Sequence, residues 1–284
     1  MNKAEILEIL QSLDMRPDKN FGQNFMIDKN LLDFIVRTVA PAKGDLILEV
    51  GPGLGALTRR LVASDARIIS VEIDKRLSEY LETNIKAPNF HLVRGDVCRI
   101  DIPSVLAQFG GHGEKPARWR CVANLPYSIT TPFIAEMLQM ENPPADMLFM
   151  LQRETAERFD AGIDSKAYGS ITVLLQCVYE MELVRKVHRN VFFPVPDVDS
   201  AIMHFKLKEQ QRLGPSKLAD LESFLRLAFS QRRKKMNRTL EARYAASDIE
   251  KAYAELKLDP NSRPGQVTQE QFVRLLEMLS GSAD

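Results

Sequence analysis

Cysteine and histidine are scarce in this sequence and lie far apart along it. The three cysteines, Cys98, Cys121 and Cys177, each lie within or beside an apolar segment and have no C-x-x-C spacing, and the four histidines form no cluster. This pattern predicts buried, reduced thiols and no metal site, because a zinc site needs several such ligands at short spacing. Reduced thiols are typical of a reducing compartment, so we expect a cytoplasmic protein.

Long hydrophobic runs and an excess of one charge are also missing. No apolar stretch approaches the ~20 residues that are needed to cross a bilayer. Residues 2–14 form an acidic amphipathic segment without the apolar core of a signal peptide, so we expect neither membrane insertion nor export. Basic and acidic residues number 38 each, which makes the formal net charge zero. Any attraction to nucleic acid must therefore come from local clusters of charge.

Short apolar runs alternate with amphipathic segments through most of the chain. The runs are too short for helices and predict buried strands, whereas the amphipathic segments predict helices between them. The predicted strands are residues 46–50, 67–73, 90–93, 120–123, 147–151, 180–186 and 201–208. Strands that alternate with helices in this way specify an α/β fold with a mostly parallel sheet, and the last two strands predict an antiparallel addition at its edge.

From about residue 207 onwards the pattern becomes helical. Residues 209–216 are polar and contain Gly214 and Pro215, which is typical of a linker. The predicted helices beyond it are residues 218–229, 232–244, 247–256 and 268–279. We therefore predict two domains, residues 1–208 with the sheet and residues 209–284 as a small all-helical domain.

One cluster of positive charge lies within the helical region. It spans residues 226–238, which contain no acidic residue. Its members are Arg226, Arg232, Arg233, Lys234, Lys235 and Arg238. Such a run is often only the solvated face of a helix. Because no acidic neighbour offsets it, we favour a surface that contacts phosphate groups, with Arg232, Arg233 and Lys234 as the candidate residues.

A glycine-rich loop follows the first predicted strand. It reads Glu-Val-Gly-Pro-Gly-Leu-Gly at residues 49–55, and Gly51 and Gly53 allow the backbone to pass close beneath a ligand. Glu72 ends the second strand about 20 residues later, where a carboxylate can accept both hydroxyls of an adenosine ribose. Asp96 follows the third strand and is expected beside the adenine of the same ligand.

The glycine-rich loop by itself also occurs in nicotinamide-dinucleotide proteins. Here the spacing is Gly-x-Gly-x-Gly and lacks the third glycine in the dinucleotide position. S-adenosylmethionine has both an adenosine to bind and an electrophilic methyl group to donate. We favour it as the ligand, because a second motif predicts a methyl acceptor.

This second motif is the tetrapeptide Asn-Leu-Pro-Tyr at residues 124–127, which follows a predicted strand. The Asn124 side-chain carbonyl and the Pro126 backbone carbonyl can both accept hydrogen bonds from one amino group. The Tyr127 ring can stack on the flat base that carries this amine. A turn made by Asn and Pro is the simpler interpretation, but the glycine-rich loop upstream favours a site for the exocyclic amine of a nucleobase.

Five motifs along the chain resemble those of one family. They are residues 21–25 (Phe-Gly-Gln-Asn-Phe), 49–55, 124–127, 192–200 (Phe-x-Pro-x-Pro-x-Val-x-Ser) and 229–234 (Phe-x-x-Arg-Arg-Lys). Together they resemble the ribosomal small-subunit adenine N6,N6-dimethyltransferases, which use S-adenosylmethionine, and the resemblance covers the whole chain. It implies a Rossmann-like methyltransferase domain followed by a small helical domain that binds RNA or the ribosome.

The resemblance also implies a site and a reaction. The implied donor contacts are Asn24, Met26, Gly51, Glu72, Asp96 and Asn124. The implied reaction is dimethylation of adenine N6 on two adjacent adenosines of small-subunit ribosomal RNA, within an immature subunit and with a role in its maturation. Two positions depart from the usual pattern: Met26 stands where leucine is usual, and Ser128 replaces a common asparagine.

A mechanism follows as a hypothesis. Adenine N6 attacks the sulfonium methyl group in line, while Asn124 and Pro126 accept N–H bonds most strongly as positive charge develops on the nitrogen. Tyr127 stacks on the base, and Phe192 either closes the opposite side or packs only in the core. Proximity and orientation supply most of the acceleration, so neither a metal nor a strong base is needed. No long exposed apolar stripe demands a partner chain, so we expect a monomer.

Two other interpretations stay open from the sequence. The same pocket suits an adenine methyltransferase that acts on large-subunit ribosomal RNA, as macrolide-resistance methylases do, or on DNA. A ribosome-assembly or nucleic-acid-binding factor that keeps the fold without turnover belongs to another class. Residues 229–234 and the helical region favour the small-subunit family, and the intact set of Gly51, Glu72, Asp96 and Asn124 favours an enzyme.

Overall fold

A computed structural model describes residues 1–18, 21–109, 118–126, 128–208 and 213–281 of the chain. The strands within these ranges are β1 (Phe25–Met26), β2 (Leu46–Val50), β3 (Arg67–Glu72), β4 (Phe90–Arg94), β5 (Trp119–Asn124), β6 (Asp146–Gln152), β7 (Tyr179–Val187), β8 (Phe192–Phe193) and β9 (Ser200–Leu207). The α-helices are α1 (Lys3–Ser12), α2 (Lys29–Val39), α3 (Thr58–Leu61), α4 (Lys75–Asn84), α5 (Ile102–Phe109), α6 (Thr130–Gln139), α7 (Arg153–Phe159), α8 (Ser170–Gln176), α9 (Pro215–Ala228), α10 (Met236–Leu240), α11 (Ala246–Glu255) and α12 (Gln269–Ser280). In this described part of the chain, no helix combines the length and the hydropathy that a membrane span requires.

Seven of the strands form one sheet in the order β4-β3-β2-β5-β6-β9-β7. Neighbouring strands from β4 to β6 are parallel, and β9 is antiparallel to β6. This arrangement confirms the predicted α/β fold with a mostly parallel sheet and an antiparallel edge. Each predicted strand agrees with the observed one to within one residue at either end. The agreement is close because strands covered on both faces are mostly apolar: four of the five residues of β2 are apolar, and all five are buried.

The order of the strands reverses at β2. The chain passes from β2 to β3 and then to β4 on one side, and it later places β5 on the other side of β2. At such a switch point the connections leave neighbouring strands in opposite directions, and a crevice opens at the carboxyl ends of the strands. The glycine-rich loop after β2 and the tetrapeptide after β5 therefore lie at the same crevice.

A small second sheet joins two segments for which the sequence predicts no strand. β1 pairs with β8, so that Phe25 is opposite Phe193 and Met26 is opposite Phe192. Strands of two residues are too short for an alternation of apolar and polar residues to reveal them. Their pairing holds residues 21–26 next to the segment that contains Phe192.

The chain divides into two compact units. The first comprises residues 1–134, 144–156 and 182–206, and the second comprises residues 135–143, 157–181 and 207–284. The predicted division between residues 208 and 209 assigns the internal segments of the second unit to the first domain. Residues 209–212, where that division falls, lie outside the described residues. The predicted domain bounds therefore stay a proposal.

Aromatic rings form the interior of the second unit. The Phe272 ring centroid lies 6.5 Å from that of Phe224 and 5.6 Å from that of Phe229. Tyr168 adds a ring 6.3 Å from Phe229, and its hydroxyl donates to the backbone carbonyl of Val267 over 3.0 Å. Helices α9 and α12 and the segment before α8 thus share one core.

The predicted helix at residues 232–244 is wrong in extent. The observed helix α10 covers only Met236–Leu240, and residues 232–235 form a turn. The backbone of Lys235 is not helical, with φ −60° and ψ 130°, and the N–H of Met236, the first residue of α10, donates to the carbonyl of Ser262 over 2.9 Å. Four adjacent cations repel one another, which also disfavours a continuous helix here.

One carboxylate is buried inside the main sheet. Glu49, on β2, is 2% exposed, and it accepts a hydrogen bond of 2.7 Å from the hydroxyl of Ser70, its partner on β3. Burial raises the pKa of Glu49 to about 7, although the bond from Ser70 opposes the rise. The folded protein therefore holds the proton more tightly than the unfolded chain, in which the pKa of glutamate is about 4.3.

Replacing Glu49 by glutamine should reduce the pH dependence of stability. In the wild type the raised pKa adds stability that is complete below about pH 4.3 and is lost as the pH rises through about 7. This loss is on the order of 3 kcal/mol of unfolding free energy. Denaturant unfolding of both proteins across this window measures it: the wild type should lose stability relative to Glu49→Gln as the pH rises. A constant difference between the two proteins would contradict a buried proton on Glu49.

Candidate active site

A cavity of about 310 Å³ lies at the carboxyl ends of β2, β3 and β5. Its volume is in the range of about 300–1,000 Å³ that is typical of small-molecule sites. Eight residues predicted from the sequence line it: Asn24, Met26, Gly51, Gly53, Glu72, Asp96, Asn124 and Pro126. The fold thus brings together motifs that are as much as 100 residues apart in the chain.

Glu72 ends β3, and its carboxylate is held from two sides. The backbone N–H of Gly53 donates to Oε2 over 3.0 Å, and the backbone N–H of Asp74 donates to Oε1 over 2.9 Å. Burial raises the pKa of Glu72, and these two hydrogen bonds oppose the rise. Each carboxylate oxygen can accept a further bond, so the group suits two neighbouring hydroxyls of a ribose.

Asp96 follows β4 and also lines the cavity. Its Oδ1 accepts a hydrogen bond of 3.0 Å from the backbone N–H of Cys98, and its Oδ2 lies 3.3 Å from Nε of Arg99. Ile73, which is 44% exposed, lines the same cavity. An apolar side chain together with a carboxylate suits a purine, which has flat apolar faces and a polar edge.

Asn124, the last residue of β5, has a fixed side-chain orientation. Its Nδ2 donates to the backbone carbonyl of Asn24 over 3.1 Å, and Nδ2 of Asn24 donates to the carbonyl of Gly22 over 3.1 Å. Because the amide nitrogen of Asn124 is used in this way, its carbonyl oxygen is the group that can accept from a ligand. At Gly22, where φ is +59°, an added Cβ would lie 3.0 Å from Cβ of Pro126, so only glycine allows this close approach.

The backbone carbonyl of Pro126 already has two partners. The N–H of Ile129 donates to it over 3.1 Å, and the hydroxyl of Thr130 donates to it over 3.2 Å. These bonds begin α6 and use both lone pairs of the oxygen. The role predicted for this carbonyl, as an acceptor for an amine, therefore requires the Thr130 hydroxyl to rotate away.

The two aromatic residues predicted for the site differ in what the structure says of them. Phe192 is only 2% exposed and belongs to a cluster of buried hydrophobic residues together with Met26. It also lines a hollow of about 20 Å³ with Asn24, Asn124 and other residues of the tetrapeptide. Tyr127 lies outside the described residues. The roles assigned to both rings stay proposals.

The basic cluster belongs to the second unit. Arg233 and Lys234 are exposed, as residues that contact phosphate must be. Arg232 is exposed too, but its Nη2 donates to the backbone carbonyls of Lys166, over 3.1 Å, and of Tyr168. Its guanidinium therefore anchors residues 166–168 of the same unit.

Gln23, Glu49 and Ile73 are among the residues of the cavity wall that were not predicted as site residues. Glu49 is an acidic residue inside an apolar strand, and Gln23 lies within the motif at residues 21–25. Both positions therefore offered a signal. Ile73 offered none, because an isoleucine beside a strand is typical of the core.

The described residues include no group of three or more histidine, cysteine or acidic side chains that could hold a metal ion. All three cysteines are free thiols. Cys121 and Cys177 are buried, as expected, whereas Cys98 is partly exposed. Burial raises the pKa of the Cys177 thiol to about 12, so this thiol stays protonated and unreactive at neutral pH.

Sequence comparison places the chain among known enzymes. The family model described as ribosomal RNA adenine dimethylase matches residues 15–280. A protein named ribosomal RNA small subunit methyltransferase A from Ureaplasma urealyticum is 33% identical over 282 residues, which cover 99% of each chain. The protein of the same name from Listeria welshimeri is 40% identical over 244 residues, 84% of this chain and 81% of its relative.

Solved structures show the same fold. A dimethyladenosine transferase from Plasmodium falciparum superposes with a TM-score of 0.73 at 22% identity, and the match covers 90% of this chain and 98% of that one. The 23S rRNA methyltransferase ErmE superposes with a TM-score of 0.69 at 29% identity over 90% of this chain and 100% of its own. These matches extend well beyond the sheet, and the family match includes every residue that lines the cavity except Met1. The chain therefore belongs to the ribosomal RNA adenine dimethylase family and is an S-adenosylmethionine-dependent rRNA adenine dimethyltransferase.

Proposed function

We propose that this enzyme dimethylates N6 of two adjacent adenosines in small-subunit ribosomal RNA. One observation carries the proposal: the fixed carbonyl oxygen of Asn124 belongs to the same cavity as Glu72 and the loop at Gly51. A holder for an adenosine and an acceptor for an amine are thus combined in one site. The Ureaplasma and Listeria relatives are named as small-subunit methyltransferases, which supports this choice of RNA.

The cavity wall fits S-adenosylmethionine by its chemistry. Glycine backbone lines one part of it, and the carboxylates of Glu72 and Asp96 offer acceptors for an adenosine. We assign the donor contacts to Asn24, Met26, Gly51, Gly53, Glu72, Asp96 and Asn124. When bound, S-adenosylmethionine supplies an electrophilic methyl group on a sulfonium centre. Carboxylates in a buried wall favour such a positively charged ligand.

Asn124 is the principal catalytic residue in this proposal. The lone pair of an adenine amine is delocalised into the ring, so the nitrogen must become more tetrahedral before it can attack. The Asn124 carbonyl accepts a hydrogen bond from one N–H of the amine, and this hydrogen bond strengthens as positive charge develops on the nitrogen. The bond between Asn124 and the Asn24 carbonyl holds the acceptor in place beforehand, so no reorganisation is needed at the moment of reaction.

A second acceptor comes from the backbone of the same tetrapeptide. Pro126 can serve if the Thr130 hydroxyl turns away from its carbonyl, a change that needs only rotation of a side chain. If Thr130 keeps its bond, the neighbouring carbonyl of Leu125 is the alternative, because Leu125 lines the hollow beside Asn124. Whichever of these two carbonyl oxygens accepts from the amine, it loses that hydrogen bond at the second methylation, because the amine then has one N–H fewer.

The target base must leave its helix or be unpaired to enter such a site. We assign stacking on the adenine to Tyr127. Phe192 supports the wall behind Asn124, since it is buried beside it, and contact with the base on its opposite side remains its proposed further role. The exposed cations of the second unit would hold structured RNA by its phosphates.

Each domain has its own role in this proposal. We assign residues 1–208 to the methyltransferase domain and residues 209–284 to binding of RNA or the ribosome. The substrate is small-subunit RNA within an immature ribosomal subunit, and methylation accompanies maturation of that subunit. We expect the enzyme to act as a monomer in the cytoplasm.

The likeness to ErmE favours one alternative, methylation of large-subunit RNA. Labelled methyl transfer to immature small subunits, large subunits, bare RNA and duplex DNA distinguishes the two candidates. We expect label on the small subunits, in two adjacent adenosines that each carry two methyl groups when analysed by mass spectrometry. Label confined to large subunits would favour the alternative, and absence of transfer to any of them would contradict the proposed function.

Asn124→Ala should lose at least ~100-fold in the rate of methyl transfer, because one hydrogen bond to the developing charge is removed. Single-turnover transfer to small subunits measures the rate, and circular dichroism checks the fold. Asn30→Ala is the matched control, since Asn30 is an exposed asparagine of α2 that does not line the cavity. Wild-type rates in Asn124→Ala would contradict the assigned role.

Replacing Arg233 and Lys234 together by glutamine should weaken binding to RNA, because each exposed cation releases counterions from a phosphate that it contacts. The slope of log binding constant against log salt should fall by about 1 to 2. Binding across a salt series measures both effects.

Arg274→Gln is the control for the basic cluster. Arg274 is an exposed cation of the second unit, but its Nη1 lies 3.5 Å from the carboxylate of Glu277, so it has a partner already. If the double variant and the control have the same salt slope as the wild type, the cluster is only solvated surface.

A further inference from the structure

Gln23 connects two separate parts of the first unit. Its backbone N–H donates to the carbonyl of Asp18 over 3.2 Å, and its Oε1 accepts from the N–H of Asp18 over 2.9 Å. Its Nε2 donates to Oδ2 of Asp74 over 3.1 Å. A neutral amide can make both kinds of bond at once, so one side chain joins residues 1–18, the N-terminal segment, to the start of α4.

Asp74 continues this connection to Glu72. Asp74 is a buried residue, and its Oδ1 accepts from the N–H groups of Arg76, over 2.8 Å, and Leu77, over 3.3 Å. The bond from Gln23 satisfies the other oxygen, which burial would otherwise make costly. The backbone N–H of Asp74 then donates to Oε1 of Glu72. The orientation of Gln23 is thus linked, through one residue, to the carboxylate assigned to the donor's ribose.

The N-terminal segment packs against the same elements. Ile6 and Leu10 of α1 belong to one apolar cluster with Leu54, from the glycine-rich loop, and Leu77, from α4. Nη1 of Arg76 donates to the carbonyl at position 14 over 3.1 Å. Met1, at the other end of the segment, lines the cavity itself. The segment therefore covers part of the cavity, and Gln23 and Arg76 bond it to α4.

We propose that Gln23 is a positioning residue for the methyl donor, which fixes Glu72 through Asp74 and holds the N-terminal segment against the cavity. This inference rests on the proposed function in one respect, that Glu72 binds the ribose of the donor. Gln23 need not touch the donor to act. Its loss removes the side-chain donor to Oδ2 of Asp74 and the side-chain acceptor for the N–H of Asp18, so both Glu72 and the segment become less ordered.

The expected consequence is weaker binding without slower chemistry. A ribose contact is the same in the ground state and in the transition state, so its loss raises KM and leaves kcat unchanged. The contribution of one hydrogen bond of this kind corresponds to about a tenfold change in affinity. The loss of affinity should be smaller for a ligand that lacks a ribose hydroxyl, since Gln23 acts through Glu72, which is assigned to those hydroxyls.

Two variants test the two ends of the connection. Gln23→Met keeps the length of the side chain and removes both side-chain bonds. Gln23→Glu keeps the acceptor for residue 18 but places a carboxylate against Asp74. Gln11→Met is the matched control, because Gln11 is an exposed residue of α1 in the same segment. Calorimetry measures binding of S-adenosylhomocysteine and of its 2′-deoxyribose analogue to each full-length protein.

We expect the wild type and Gln11→Met to prefer the ribose ligand over its deoxy analogue. Both Gln23 variants should bind S-adenosylhomocysteine about tenfold more weakly and should show a smaller preference between the two ligands. Without any ligand, amide hydrogen exchange across residues 1–18 should be faster in Gln23→Met than in the control. At saturating donor, the kcat of each variant should match that of the wild type.

Three results would overturn the inference. The first is that Gln23→Glu binds S-adenosylhomocysteine as tightly as the wild type does. The second is that the Gln23 variants lose the same affinity for both ligands, because an unchanged preference would indicate general damage to the fold. The third is that kcat falls while the affinity is unchanged. If Gln23→Met does not fold, Gln23→Glu decides the matter by the same measurements. Failure of the proposed function is distinguishable, because then the wild type itself binds no S-adenosylhomocysteine.

Discussion

The parallel pairing of β2 with β3 on one side and with β5 on the other is the constraint on which the site depends. Val50 is opposite both Val71 and Ala123 in this register, so the next residue of each strand arrives at the same level. Gly51, Glu72 and Asn124 are those next residues. A slip of one residue in either pairing would turn every side chain of that strand to the other face. The apolar residues of three strands therefore set the distances between the glycine-rich loop, Glu72 and Asn124.

Three carboxylates in or next to the cavity wall accept hydrogen bonds from neutral donors, whereas Asp96 also lies 3.3 Å from Nε of Arg99. Glu49 accepts from a serine hydroxyl, Glu72 accepts from two backbone N–H groups, and Asp74 accepts from an amide and from backbone N–H groups. No basic side chain is among the described residues that line the cavity. Neutral donors satisfy the hydrogen-bonding capacity of a carboxylate without cancelling its charge. Burial is the main cause of the raised pKa of Glu49, and the hydroxyl of Ser70 opposes the rise.

A net charge of zero conceals two regions of opposite sign. Acidic side chains line the cavity of the first unit, while the turn at residues 232–235 in the second unit carries four consecutive cations. These four cations do not lie along one helix. The backbone of Lys235 is not helical, and Nη2 of Arg232 donates to the backbone carbonyls of residues 166 and 168. Charge is thus distributed unevenly: carboxylates line the cavity, and cations occupy the turn.

Local patterns were enough to predict the strands of the main sheet, the family and eight residues of the cavity wall, because apolar runs, glycine spacing and short motifs can be recognised without the fold. The two-residue strands that place Phe192 beside Met26 left no such signal, and neither did the bond of Met236 to Ser262 that ends the basic turn. The occupied carbonyl of Pro126 and the connection from Gln23 to Glu72 are likewise absent from any local pattern. These features follow from the folded chain, because each depends on groups that are distant in the sequence or on where a helix begins, and hydrogen-bond partners are set by position in space.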